Sequence, residues 1–373
     1  MAIDRYFTLG RSGLRVSRLA LGTMTFGTDW GWGTEEKSAR ALFDRYLEAG
    51  GNFIDTADVY TAGTSERLLG RFIQEAGVRD RVVLTTKYTF NDLSGGRPDP
   101  NTGGNHRKNL LRAVEGSLKR LGTDYIDLYL MHAWDRITPV EEVMRTFDDL
   151  VRAGKVRYVG FSDVPAWHAA RAQTLAEWRG WEPLAALQLE YSLVERNIER
   201  EFTTLAQTLG MGIMVWSPLA GGLLSGKYRA ARDGIVGEGR LQTLKDSKNP
   251  ALAKVSERNW RIAAVLQDVA QACGHSMAQV ALNWTANRPG IASVIVGATR
   301  PEQLQDNLQA LEFTLPADLR AKLDEIGAPP PQFPYFFFEN EMQGMIHGGA
   351  PMGDKPDGYW ERVRFEGAGA GVT

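Results

Sequence analysis

Apolar and polar positions alternate along this chain in short bursts, give way to stretches with helical spacing, and the exchange then repeats. The opening segment RYFTLGRSGLRVSRLALGT holds two alternating runs about Arg11, Ser12 and Gly13, which predicts a β-hairpin leading into a strand that ends near Gly22. Thr34 then reads as a helix cap, with Glu35 and Glu36 in the first turn, Leu42, Phe43, Tyr46 and Leu47 as the apolar stripe, and Gly50 as the stop. Seven further strand patterns follow: NFIDTA, VVLTTKY, DLYLMHAW, VRYVGFSD, LAALQLEY, GIMVWSPL and IASVIVGA. Helical stripes such as Leu68, Leu69, Phe72, Ile73 and Ala76 lie between them. Eight strands separated by amphipathic helices predict right-handed βαβ units and, at that number, a closed (β/α)8 barrel of the α/β class. The strands end in Asp55, Lys87, His132, Ser162, Gln188, Ser217 and Gly297, and a barrel gathers such ends at one mouth.

Three segments break the pattern. Residues 88–108, rich in Gly, Pro and Asn, predict a long loop after the third strand, and residues 220–256 predict another after the seventh. The tail from Ala328, with PPPQFPYFFF, is too aromatic for an ordinary disordered tail. The expected organisation is therefore a barrel over 1–327 and an extension over 328–373 that packs on the barrel mouth or on a neighbouring subunit. Self-association into a homo-oligomer stays open.

Charge narrows the partners. The 373 residues carry 43 basic and 45 acidic side chains, so no global field favours nucleic acid or an anionic membrane, and a small molecule is the expected partner. Cys273 is the sole cysteine, which excludes an internal disulfide and a multi-cysteine zinc site. MAIDRYFTLG lacks the apolar segment of a signal peptide, and no apolar run approaches the roughly 18 residues of a spanning helix, so a soluble cytoplasmic protein is expected. His106, His168, His275 and His347 are scattered with no metal-like pair, and no metal is expected. Asp148, Asp149, Glu141 and Glu142 sit at the spacing of a solvated helix face.

The strand ends carry the chemistry. In FIDTADVY a carboxylate, Asp55, is followed by the phenol of Tyr60, while Lys87 and His132 end the next two strands. A Tyr beside a Lys ammonium is a recognisable acid catalyst, because a nearby cation favours the phenolate. Asp55 is suited to hold that ammonium, and His132 to bond the reacting oxygen or relay charge to the phenol. Phe26, Trp30, Trp32 and Trp134 follow strand ends and read either as an apolar substrate wall or as ordinary packing.

From about Tyr6 to Leu311 the chain resembles the aldo-keto reductase superfamily. The resemblance rests on LALGTMTFG, FIDTADVYTAGTSERLLG, TTKY, YIDLYLMHAWD, GFSDV, LQLEYS, WSPLAGGLLSGKY and VGATRPEQLQDN. It implies that Asp55, Tyr60, Lys87 and His132 form the catalytic tetrad, with Tyr60 giving a proton to a carbonyl oxygen during hydride transfer between NADPH and an aldehyde or ketone. The chain looks like the branch of aryl-alcohol dehydrogenase-like enzymes and potassium-channel β subunits, so a redox-sensing NADPH-binding subunit with little turnover is the alternative reading.

The resemblance also implies cofactor contacts. Gly22, Thr23 and Met24 fall on the nicotinamide side, Ser162, Asp163 and Gln188 at its carboxamide, and Trp216 on the ring. The family usually has Asn where Asp163 stands; an ionised Asp offers only acceptors, so Asp163 either takes the carboxamide N–H or is protonated. Beyond Gly297, Thr299 and Arg300 at a helix start suit a ribose 2′-phosphate, Gln303 and Asn307 match adenine contacts, and Arg240 matches an arginine on the same phosphate. In SPLAGGLLSGKY the Gly-x4-Gly-Lys spacing approaches a P-loop, but Tyr228 stands where Ser or Thr would hold Mg²⁺. Ser217, Pro218, Leu219, Ala220, Gly221 and Lys227 are accordingly expected to face the pyrophosphate of the dinucleotide.

Overall fold

The computed structural model describes residues 2–90, 99–231, 234–243 and 253–350. Its strands are β1 (Tyr6–Thr8), β2 (Arg15–Ser17), β3 (Leu19–Gly22), β4 (Phe53–Asp55), β5 (Val83–Tyr88), β6 (Ile126–Met131), β7 (Val156–Ser162), β8 (Leu184–Glu190), β9 (Gly212–Trp216), β10 (Arg229–Ala231), β11 (Gly234–Val236) and β12 (Ile291–Val296). Eight of them close in the order β12-β3-β4-β5-β6-β7-β8-β9, every neighbouring pair parallel, which is the expected (β/α)8 barrel. The helices are α1 (Glu36–Glu48), α2 (Thr64–Ala76), α3 (Arg107–Leu121), α4 (Val140–Arg152), α5 (Ala166–Arg179), α6 (Phe202–Leu209), α7 (Arg240–Thr243), α8 (Glu257–Cys273), α9 (Met277–Ala286), α10 (Pro301–Leu308), α11 (Ala317–Gly327) and α12 (Asn340–Ile346).

Strand alternation divides the core in two. Phe53, Val83, Leu128, Leu130, Ala186 and Met214 point into the barrel, while Ile54, Leu84, Tyr129, Phe161 and Leu187 point out and pack under the helices. β1 and β2 pair antiparallel as the expected hairpin. Its buried Leu9 and Val16 join the inner set, so the hairpin plugs the end of the barrel opposite the mouth. Gly10 sits there at φ +59, packed against the backbone of Gly210, Gly212 and Ala185, which leaves no room for a side chain.

Several local expectations are corrected. Glu35, not Thr34, is the N-cap residue of α1; Thr34 is buried and its N–H donates to the Thr25 carbonyl at 2.7 Å. Residues 220–256 are no plain loop, because β10 and β11 form a small antiparallel hairpin and α7 adds a helical turn. Asp148 is not a solvated charge: it is buried, and accepts from Arg152 at 2.7 Å and from the Glu182 N–H at 3.1 Å. Residues 91–98, 232–233, 244–252 and 351–373 of the two expected loops and the tail lie outside the described residues. Within the described tail, Pro330 accepts from Arg200, whose guanidinium lies 6.0 Å from the Tyr335 ring.

Candidate active site

The inward positions of β4 to β9 climb in steps of two toward the mouth: Phe53 to Asp55, Val83 and Thr85 to Lys87, Leu128 and Leu130 to His132, Gly160 to Ser162, Ala186 to Gln188, Met214 to Trp216. A polar layer therefore rests on an apolar floor, and the two-residue period puts all these side chains on one face.

Lys87 lies at its centre, fully buried. Its ammonium donates to Asp55 Oδ2 at 2.7 Å, to the Thr56 carbonyl at 2.8 Å and to Tyr60 Oη at 3.2 Å. An ammonium has three donors and no acceptor, so this set saturates it and leaves Tyr60 as the acceptor. The phenol proton is thus free to point elsewhere. Gln188 Nε2 donates to Asp55 Oδ1 at 2.7 Å, which fixes the carboxylate from its other side. The His132 ring meets Tyr60 edge-on at 5.8 Å, and its buried Nδ1 has no hydrogen-bond partner.

Burial decides the charges. It pushes the Tyr60 phenol above its ordinary value, and Lys87 opposes that shift without overcoming it, so the expected lean toward phenolate is not what the site produces. Burial works against the Lys87 ammonium too, but Asp55 and Tyr60 more than offset it and its pKa rises. Burial, and then Lys87, hold His132 well below the usual imidazole range. The arrangement at neutral pH is a protonated phenol, a charged lysine and a neutral imidazole. It leaves the Tyr60 proton uncommitted at the mouth.

The chain belongs to the aldo/keto reductase family. The family model matches residues 18–328. The chain is 39% identical to the uncharacterized oxidoreductase YrpG of Bacillus subtilis, over 87% of this chain and 96% of the relative. It is 34% identical to the norsolorinic acid reductase of Aspergillus flavus, over 89% and 83%, and 38% identical to a probable voltage-gated potassium channel subunit beta of Oryza sativa, over 83% and 91%. As an aldo/keto reductase the chain is an oxidoreductase.

Around the tetrad of this aldo/keto reductase the remaining candidates divide. Ser162 is buried with its hydroxyl unpartnered, Asp163 accepts from Trp216 Nε1 at 3.1 Å, and Met24 is partly exposed at the mouth. Gly22 is tight against Ile295, where a Cβ would come within 2.7 Å of its Cγ2. Thr23 does not face the cleft: its N–H and hydroxyl both go to the Asp55 carbonyl, at 2.9 and 3.0 Å, and brace β3 against β4. Phe26 is likewise core, fully buried and packed on Phe72. Trp134 packs on Trp167 and His168. The rings beside the tetrad are Trp30, 6.3 Å from Tyr60, Trp32 behind it, and Phe90, 4.9 Å from His132. Phe90 escaped sequence reading because it lies in a segment without periodicity. Glu190, paired with Lys254 at 2.7 Å, escaped too, although it continues the inward series from Gln188.

The glycine-rich loop is a tight turn in which the amides of Ala220 and Gly222 donate to the Ser217 and Leu219 carbonyls and that of Gly221 to Ser217 Oγ. Those amides are committed within the loop. Pro218 is buried and Leu219 half-buried beside them. Tyr228 is a strut, buried, with its hydroxyl accepting from the Leu241 N–H at 3.1 Å. Lys227 is held below its usual pKa by burial and by the nearby Arg240 and Arg300. None of the three has an ion-pair partner among the described residues. Arg240 lies over the Trp32 ring at 5.0 Å. Gly297, Thr299 and Arg300 are exposed before α10; Gln303 Oε1 accepts from the Thr299 N–H at 3.0 Å, and Asn307 is buried one turn on. Among the described residues no three His, Cys, Asp or Glu side chains are grouped to hold a metal ion.

Proposed function

We propose that this protein is an NADP(H)-dependent oxidoreductase that moves hydride between the nicotinamide and an aldehyde or ketone, aromatic or bulky, with Tyr60 as general acid and, in the alcohol-oxidising direction, general base. The observation that carries this reading is Tyr60 itself, half-buried at the mouth, accepting from an ammonium that has no donor left. Its proton is available to a carbonyl oxygen, and transfer from a positioned acid contributes about 10²–10⁴-fold. His132, neutral, offers a second polar contact to the same oxygen.

The residues fit the dinucleotide. The unpartnered Ser162 hydroxyl and the Asp163 carboxyl would receive the carboxamide, Trp216 would lie on the ring, and Lys227, Arg240 and Arg300 would meet the phosphates as a cation cluster with no acidic partner among the described residues. When bound, the nicotinamide supplies or accepts the hydride. Trp30, Trp32 and Phe90 favour a substrate with an aromatic ring, which they would cover while Tyr60 meets its oxygen.

NADPH oxidation measured against a panel of aromatic aldehydes and ketones tests the reading; consumption no faster than without enzyme would sink it. Tyr60→Phe should lower turnover by about 10²–10⁴-fold while cofactor binding, followed by fluorescence, is retained. Reduction needs the protonated phenol, and burial raises its pKa, so kcat/KM should stay flat through neutral pH and fall only above about pH 10. The relatives named as potassium channel β subunits favour a second reading, in which the same site binds NADPH with little turnover. The aldehyde and ketone panel separates the two.

A further inference from the structure

We propose that Asp163 sets the preference of this site between the two oxidation states of the cofactor, its carboxylate drawing in the positively charged oxidised nicotinamide and offering the neutral reduced ring only the carboxamide contact that both forms share. The inference rests on the proposed seat of the nicotinamide between Ser162 and Trp216.

Asp163 directly follows Ser162 at the end of β7 and stands at φ +45, a left-handed conformation that few non-glycine residues adopt. The Trp216 indole N–H holds one oxygen at 3.1 Å, and the residue is open to the cleft. The charged groups around it are already balanced. Lys87 is paired with Asp55, and Glu190 at the end of β8 is paired with Lys254. Tyr60 and Ser162 are neutral, and Trp216 offers only a neutral donor. Asp163 has no cationic partner among the described residues. A carboxylate left in that condition favours a cation placed beside it, and the oxidised ring is one while the reduced ring is not. The amide usual in the family has the same shape and no charge.

The electrostatics supply a handle. Crowding by protein pushes the Asp163 pKa up to about 6, with Glu190 adding to the rise and the Trp216 hydrogen bond, the adjacent Ser162 hydroxyl and Lys87 opposing it. The carboxylate is therefore present above about pH 6 and lost as pH falls through that value. By linkage, the oxidised cofactor must lower this pKa by the same factor that the carboxylate favours it.

The test is the ratio of the NADP⁺ and NADPH dissociation constants, each measured by quenching of protein fluorescence from about pH 5 to about pH 8, in the full chain and in Asp163→Asn. A ratio cancels what the two forms share, including titration of their phosphates and any general disturbance of the variant. Preference for NADP⁺ over NADPH should rise about 5-fold or more with pH in the wild type and stay flat, near the acid value, in Asp163→Asn. A flat wild-type ratio overturns the proposal. A slope that survives in Asp163→Asn also overturns it and moves the effect to Glu190. If neither nucleotide binds at any pH, the cofactor reading itself falls, an outcome distinct from binding without pH dependence.

Discussion

Asp58, two residues before Tyr60, is a second unusual carboxyl, with one oxygen buried and without a hydrogen-bond partner. Burial first, then repulsion from Glu66, push its pKa up to about 8. The folded protein therefore holds a proton here that the unfolded chain gives up near pH 4, and stability attributable to this group falls as pH rises from about 4 to about 8. Asp58→Asn should remove that loss. Relative to wild type the variant should gain on the order of a few kcal/mol at pH 8 and little at pH 4, read by urea unfolding at both values. Equal gains at the two pH values would mean that shape, not charge, is responsible. FIDTADVY showed both acids in the sequence, and its strand pattern put Asp55 at a strand end on the barrel mouth. That one Asp58 oxygen is buried without a partner was not legible, since it depends on what α2 brings alongside.

Between residue and barrel, the loops above the strands hold stored strain. Among the described residues, Thr61, Ala62, Thr89, Arg136, Asp163, Ser217 and Ala220 have positive φ without being glycine, and all follow barrel strands on the mouth side. The segment after β9 also reaches two strands round the barrel, past β12, where Arg240 lies on Trp32 of the connection after β3. A cation over an indole is worth about 0.5–2 kcal/mol. Trp32→Leu should therefore speed release of NADPH by up to about 30-fold, measured by stopped-flow displacement in the absence of carbonyl substrate. An unaltered release rate would show that this contact does not hold the segment down. Sequence reading singled out Arg240 and Trp32 separately. Their meeting was not legible, because nothing in local pattern joins residues from different βα units, and the hairpin of β10 and β11 was hidden among glycines.

At the scale of the whole molecule the barrel was legible from periodicity, since eight apolar runs with polar ends admit few other arrangements. The plug below it was half visible: RYFTLGRSGLRV marked a hairpin but not its docking on the barrel end. Gly10→Ala should cost about 2–4 kcal/mol, from a strained φ and a collision with the Gly210 carbonyl, yet leave cofactor affinity intact because the plug lies opposite the mouth. Thermal unfolding together with NADPH titration checks both halves. The plug also bears on how Tyr60 is recharged after each proposed reduction. With Lys87 saturated, Asp55 pinned from both sides, and Phe53, Val83, Leu128, Leu130 and Met214 beneath them, the described residues leave only the Thr85 hydroxyl in the floor, which makes no hydrogen bond that could carry a proton further down. The replacement proton must enter by the door the product leaves, so the enzyme reloads only after its product has gone, and proton uptake from buffer should lag behind hydride transfer by the time release takes.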